Sequence, residues 1–260
     1  MTSDKLFEKI ENCKSLDFGD IFNKSIELFK KVWLQGFLHL LISFLVMLPL
    51  IFVMYIPVIA LAGVSSGYES GYLDEYPGEG LSIGLMALFI ILVLIVSIVA
   101  SAVQFGITAH FYITCKQVDL GFSETSSYFI FLKGQYLRKV LLLSVATFGI
   151  ALLAITLCYF PLFYVIVPLQ LLGVLFAFNP EIEVSDLIKA SFKLGNKKWL
   201  LVFGLVWVSS MLASMVGFIM CFVGVFFTSS FALLPVYFVY KDAIGFEEDE
   251  FENENTFLIK

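Results

Sequence analysis

His39, His110 and four cysteines (Cys13, Cys115, Cys158 and Cys221) are the side chains of this 260-residue sequence best suited to soft-metal binding or thiol chemistry. His39 falls about a turn and a half inside the first long apolar run, and His110 lies near the end of the second. Antiparallel packing of two helices would bring the imidazoles together. A zinc-type site needs further thiolate or carboxylate ligands, and Cys115 is the one candidate nearby. The pair therefore reads as two hydrogen-bonded interior histidines, with a two-histidine metal site as the alternative. No cofactor is expected. Cys158 and Cys221 each stand just before an external turn, so they are either free thiols or a disulfide formed in an oxidising compartment.

The apolar runs also carry neutral polar residues. Ser97, Ser101, Gln104 and Thr108 recur at i, i+4, i+7 and i+11, which puts them on one helical face. Gln170, Ser209, Ser210 and Ser214 lie in later runs. Such a stripe serves either helix–helix packing or the lining of a path for a polar or amphiphilic solute. No acid or base is expected at mid-membrane, where ion-coupled transporters keep theirs. No Gly-x-Ser-x-Gly, phosphate-binding loop or His-Glu-x-x-His occurs, and an intramembrane serine protease would need a Ser–His or Ser–Lys pair at depth. These absences predict a protein that is not an enzyme.

The elements that must position these residues follow from composition. The chain is 60% apolar and 15% charged, with a mean hydropathy of +0.94. Soluble domains are about 45–50% apolar and about 25% charged, so a soluble fold and a nucleic-acid-binding class are both excluded. Lys, Arg, Asp and Glu are absent from 32–68, 80–115, 140–180 and 199–240. A bilayer crossing takes about 20 apolar residues, so the last two runs each hold a helical hairpin. Six spans are predicted, at about 34–62, 82–113, 140–158, 161–179, 199–217 and 220–240, in a single membrane domain covering 1–240. Pro49 and Pro57 are expected to kink or end the first.

Every one of the 16 Lys and Arg falls on the same side of six spans, whereas the loop 64–81 carries Glu69, Asp74, Glu75 and Glu79. Positive charge favours the cytoplasm, so both termini are predicted inside and that loop outside. The first 31 residues lack a continuous apolar stretch, so no cleaved signal peptide is expected. Fifteen Lys against one Arg hints at an AT-rich bacterial genome and hence an inner membrane. The segment 241–260 is an acidic tail, available to solvent or to a basic cytoplasmic partner.

A weak internal repeat is also present. At an offset of 166, Asp20-Ile21-Phe22 falls on Asp186-Leu187-Ile188, Ser25 on Ser191, Leu28 on Leu194 and Trp33 on Trp199. At an offset of 63, Leu157-Cys158-Tyr159 falls on Met220-Cys221-Phe222. The implied unit is an amphipathic cytoplasmic helix followed by a hairpin, used three times, with Ser123 to Lys139 as the least similar middle copy. Such helices lie at the headgroups and act as lead-ins that orient the next span or as lipid-contacting elements. Trp33, Lys197, Lys198 and Trp199 are the predicted interfacial residues, the lysines meeting phosphates, and Ser185 is the expected N-cap of the last copy.

Asp17–Phe37, Pro161–Tyr164, Asn179–Gly204 and Met220–Asp242 resemble the multi-span bacterial proteins grouped near the membrane region of glycerophosphoryl diester phosphodiesterases. The layout is also similar to uncharacterised flavobacterial-type six-span membrane proteins. The resemblance implies an all-α six-helix membrane domain and carries over no catalytic residue. It does not imply the phosphodiesterase reaction, which needs a soluble metal-binding barrel, nor carotenoid cleavage, which needs four histidines on iron. The expected role is envelope lipid handling or passage of an uncharged or amphiphilic small molecule, with membrane lipids as partners. The alternatives are a scaffold subunit of a membrane complex and a metal-dependent membrane enzyme.

Overall fold

A computed structural model describes residues 1–69, 79–122, 127–157, 160–220 and 223–246. Among these the chain forms eight α-helices and no strand: α1 Ser3–Glu11, α2 Phe18–Glu69, α3 Glu79–Leu120, α4 Gly134–Thr156, α5 Phe160–Phe178, α6 Val184–Ile219, α7 Val223–Thr228 and α8 Leu234–Ala243. Six stretches are long and apolar enough to cross a membrane: Phe18–Ile59, Met86–Leu120, Gly134–Thr156, Pro161–Phe178, Val184–Ile219 and Gly224–Ala243. The protein is a multi-pass helical membrane protein.

Its apolar surface marks where lipid contacts it. Apart from Phe18, Trp33 and Leu34, the large exposed apolar side chains of α2 run from Phe44 to Ile59, and those of α3 from Ile83 to Val99. On α6 they begin at Leu200 and end at Ile219. At 1.5 Å per residue these belts are about 24–30 Å tall, matching a hydrocarbon core of about 30 Å. The 52 residues of α2 would reach about 78 Å if straight, so much of this helix extends beyond the belt.

The remaining helix ends gather into a charged, densely packed end. Asp119 at the close of α3 accepts from Tyr237 Oη at 2.7 Å and from Lys241 Nζ at 2.5 Å. Lys24 on α2 pairs with Asp242 at 3.0 Å. Lys139 on α4 donates to the carbonyls of Pro180 and Glu181 in the turn between α5 and α6. Asn179 Nδ2 reaches Tyr240 Oη at 2.9 Å. The two segments matched at an offset of 166 bury like positions here: Ile21 and Leu187, Ser25 and Ser191, Leu28 and Leu194. Each of the two serines donates to a carbonyl of its own helix, so their hydroxyls are satisfied without a partner helix.

Of the expected amphipathic helices, the first is not a separate element, whereas the last is set off from its span by a kink. Asp17–Trp33 runs without a break into the first span, because nothing from Phe18 onward stops the helix, and Pro49 and Pro57 both lie inside α2. The last copy is joined to its span through one non-helical residue, Lys198, at φ −123° and ψ 21°. In the middle copy Ser123–Ser126 lies outside the described residues, Ile130–Leu132 is a 3-10 turn, and Gly134 already begins α4. The N-cap of α6 is Glu183 and not Ser185, which sits inside the first turn. Gly217 on α6 and Gly224 on α7 let the two helices approach closely: a β-carbon on Gly217 would lie 2.6 Å from Val225 Cγ2.

Candidate functional site

Gly36, His39 and Ser43 occur at i, i+3 and i+7 on α2 and therefore share a face. That face is turned inward: His39 is 4% exposed and Ser43 5%. From α3, the Phe111 ring sits 4.9 Å from the His39 imidazole. His39 donates to the Ile107 carbonyl, and His110 lies within electrostatic reach. His110 itself is buried against the Tyr128 ring at 4.6 Å.

The third wall is a break in the last span. Proline has no N–H, and its ring excludes the carbonyl four residues back from a helical bond. Pro235, in the first turn of α8, cannot make that bond, and Ser229–Leu233 before it tightens from α-helix to a 3-10 turn that joins α7 to α8. Irregular backbone at membrane depth is tolerated only where protein or water covers it. Here α2 covers it: a β-carbon on Gly36 would lie 2.1 Å from Ser230 Oγ, so only glycine admits this approach.

His39 Nδ1, Ser43 Oγ and Ser230 Oγ are buried without a hydrogen-bond partner. Leaving such an atom unmet costs about 1–3 kcal/mol, and native structures generally meet it with water or ligand. With one ring nitrogen donating to Ile107, a neutral His39 presents Nδ1 as an acceptor, beside two hydroxyls that donate or accept. The three groups suit an uncharged hydroxyl, amide or water. They do not form a nucleophilic dyad, since neither Ser43 nor Ser230 hydrogen-bonds His39.

The polar stripe of α3 is differently placed. Ser97, Ser101, Gln104 and Thr108 are all half-buried, and Gln104 Nε2 donates to Thr108 Oγ1 at 3.2 Å. Gln170 is half-buried on α5, Ser209 fully buried, Ser210 half-buried and Ser214 exposed. Sequence reasoning missed Ser230, because Ser229 and Ser230 read as ordinary span residues; Pro235 was the signal for the break. It also missed α1, whose Leu6 and Ile10, both fully buried, stand at helical i, i+4 spacing.

No cluster of three His, Cys, Asp or Glu able to hold a metal occurs among the described residues. Cys13 and Cys115 are free, and Cys158 and Cys221 lie outside the described residues. Of the interfacial residues, Trp33 is 46% exposed. Trp199 Nε1 donates to the Tyr164 carbonyl at 3.1 Å and its ring stacks on Phe203 at 4.9 Å. Lys197 and Lys198 bond protein: Lys197 reaches the carbonyls of Ile10 (3.2 Å) and Glu11, and Lys198 that of Lys14 at 2.8 Å. Four unbonded carbonyls close every helix, and here Lys197 takes up two of those of α1, while Lys198 bonds the segment just after it. No family model, curated protein or solved structure matches this chain.

Proposed function

We propose that this is a non-enzymatic bacterial inner-membrane protein that handles an uncharged or amphiphilic small molecule, with envelope lipids the nearest class. The observation that carries the reading is that neutral polar atoms of His39, Ser43 and Ser230 are buried without a partner, Ser230 lying in the 3-10 turn that packs on α2 at Gly36. An ion would find no counter-charge among them, whereas the polar groups of an uncharged molecule, or water, are suited to each of them. The distribution of Lys and Arg supports cytoplasmic termini. The alike burial of the segments around Ser25 and Ser191 supports a repeated helix-plus-hairpin design.

A scaffold role is the second reading. Phe246 stacks its ring under Lys116 Nζ at 4.8 Å, so the acidic tail departs from the charged end, where a basic partner would meet it. The metal-enzyme reading has only His39 and His110 to draw on.

A diazirine-bearing neutral glycerolipid, activated in native membranes, tests the proposal. Crosslinks within 35–43 of α2 are expected. Crosslinks confined to 44–59 and 83–99 would mean ordinary solvation by lipid and would defeat it.

A further inference from the structure

Helix α1 lies along the first half of α6, held at both ends. Ser3 Oγ donates to Asp186 at 2.8 Å, and at the other end Lys193 pairs with the Glu11 carboxylate. There Lys197 takes the carbonyls of Ile10 and Glu11, and Lys198 takes that of Lys14. Two ammonium groups of α6 thus meet the Glu11 carboxylate and the negative end of the α1 dipole, and the third meets the chain at Lys14, just beyond that helix. The Lys193 ammonium also lies over the Phe7 ring at 5.3 Å.

The location matters as much as the chemistry. Lys198 is the one non-helical residue of α6, and two residues later Leu200 is 76% exposed and opens the apolar belt. The lysines therefore stand at the rim of the belt, the depth of lipid phosphates. A cluster of lysines beside an apolar surface is suited to an anionic headgroup, yet here its donors are taken by α1. We infer that Lys193, Lys197 and Lys198 form a latent site for the phosphate of an anionic phospholipid, and that α1 occupies it as an internal pseudo-ligand. The carboxylate of Glu11 and the carbonyls of Ile10, Glu11 and Lys14 take the places of phosphate oxygens. Headgroup and α1 compete, so anionic lipid undocks α1 and frees α6 to bend at Lys198. This inference is independent of the His39 cluster.

The test uses the full chain in nanodiscs, with hydrogen exchange of the α1 amides as readout. Replacing phosphatidylcholine by phosphatidylglycerol is expected to speed exchange across 3–11 about fivefold, as expected when a docked element opens locally. The double variant Lys197→Gln/Lys198→Gln should show no lipid dependence. Glu11→Lys, which leaves the α6 lysines in place, should undock α1 even in phosphatidylcholine. Equal α1 exchange of the native chain in both lipids would overturn the inference. So would release of α1 by inorganic phosphate in phosphatidylcholine discs, which would make the ligand a soluble anion.

Discussion

Gly36 of α2 and Ser230 of the 3-10 turn meet so closely that a β-carbon on residue 36 would stand 2.1 Å from the serine hydroxyl and 2.7 Å from its Cβ. The contact seats the broken segment of the last span against α2, immediately beside His39. It also fixes which substitutions the site tolerates.

Gly36→Ala is accordingly expected to destabilise the bundle by about 1–3 kcal/mol, the usual range for overpacking. Unfolding in mixed micelles measures this. Because the clash is with one named residue, Gly36→Ala/Ser230→Gly should recover part of the loss, with a coupling above about 0.5 kcal/mol. Strict additivity would place the strain elsewhere.

Asp119 and Asp186 separate the buried from the surface ion pairs. Asp119, 17% exposed, serves both Tyr237 and Lys241, and Asp119→Ala strands both donors. A loss of about 2–3 kcal/mol is expected. Lys189, 69% exposed and paired with Asp186 within one turn, should be worth under about 0.5 kcal/mol on Lys189→Ala. The same unfolding assay compares the two.

The docking of α1 is predicted to respond to acid. The hydrogen bond and charge of Lys193 hold the Glu11 carboxyl below its ordinary value of 4.5. A carboxyl lowered in the docked state stabilises docking above its undocked value, and that contribution fades as pH falls through the docked one. A nitroxide at position 9 (Lys9→Cys) should therefore become more mobile as pH drops below 4.5. Glu11→Gln should reduce that dependence to the share of Asp186, whose carboxyl the Ser3 hydrogen bond also lowers, and an unchanged pH profile in this variant would assign the whole transition to another group.

The helical membrane class and the number of spans were legible from charge-free runs alone, because lipid demands a length of apolar sequence that few other environments do. Element boundaries were not. Phe18–Trp33 and 34–62 differ in composition, yet no stop signal separates them and neither Pro49 nor Pro57 ends the helix, so one helix spans both. The role of Lys197 and Lys198 was hidden for a related reason: their partners are backbone carbonyls some 185 residues away in sequence, and carbonyls leave no mark in composition. Ser230 gained its importance from Pro235 five residues later, through a hydrogen bond the proline cannot make.

The most direct test of the site is native mass spectrometry of the protein released gently from its own membrane, beside the variant His39→Phe/Ser43→Ala. The account predicts a neutral amphiphile retained by the native chain and lost by the variant, while Gln104→Leu/Gln170→Leu retains it. Retention by both native chain and variant, or a stoichiometric protein partner with no bound small molecule, would contradict it.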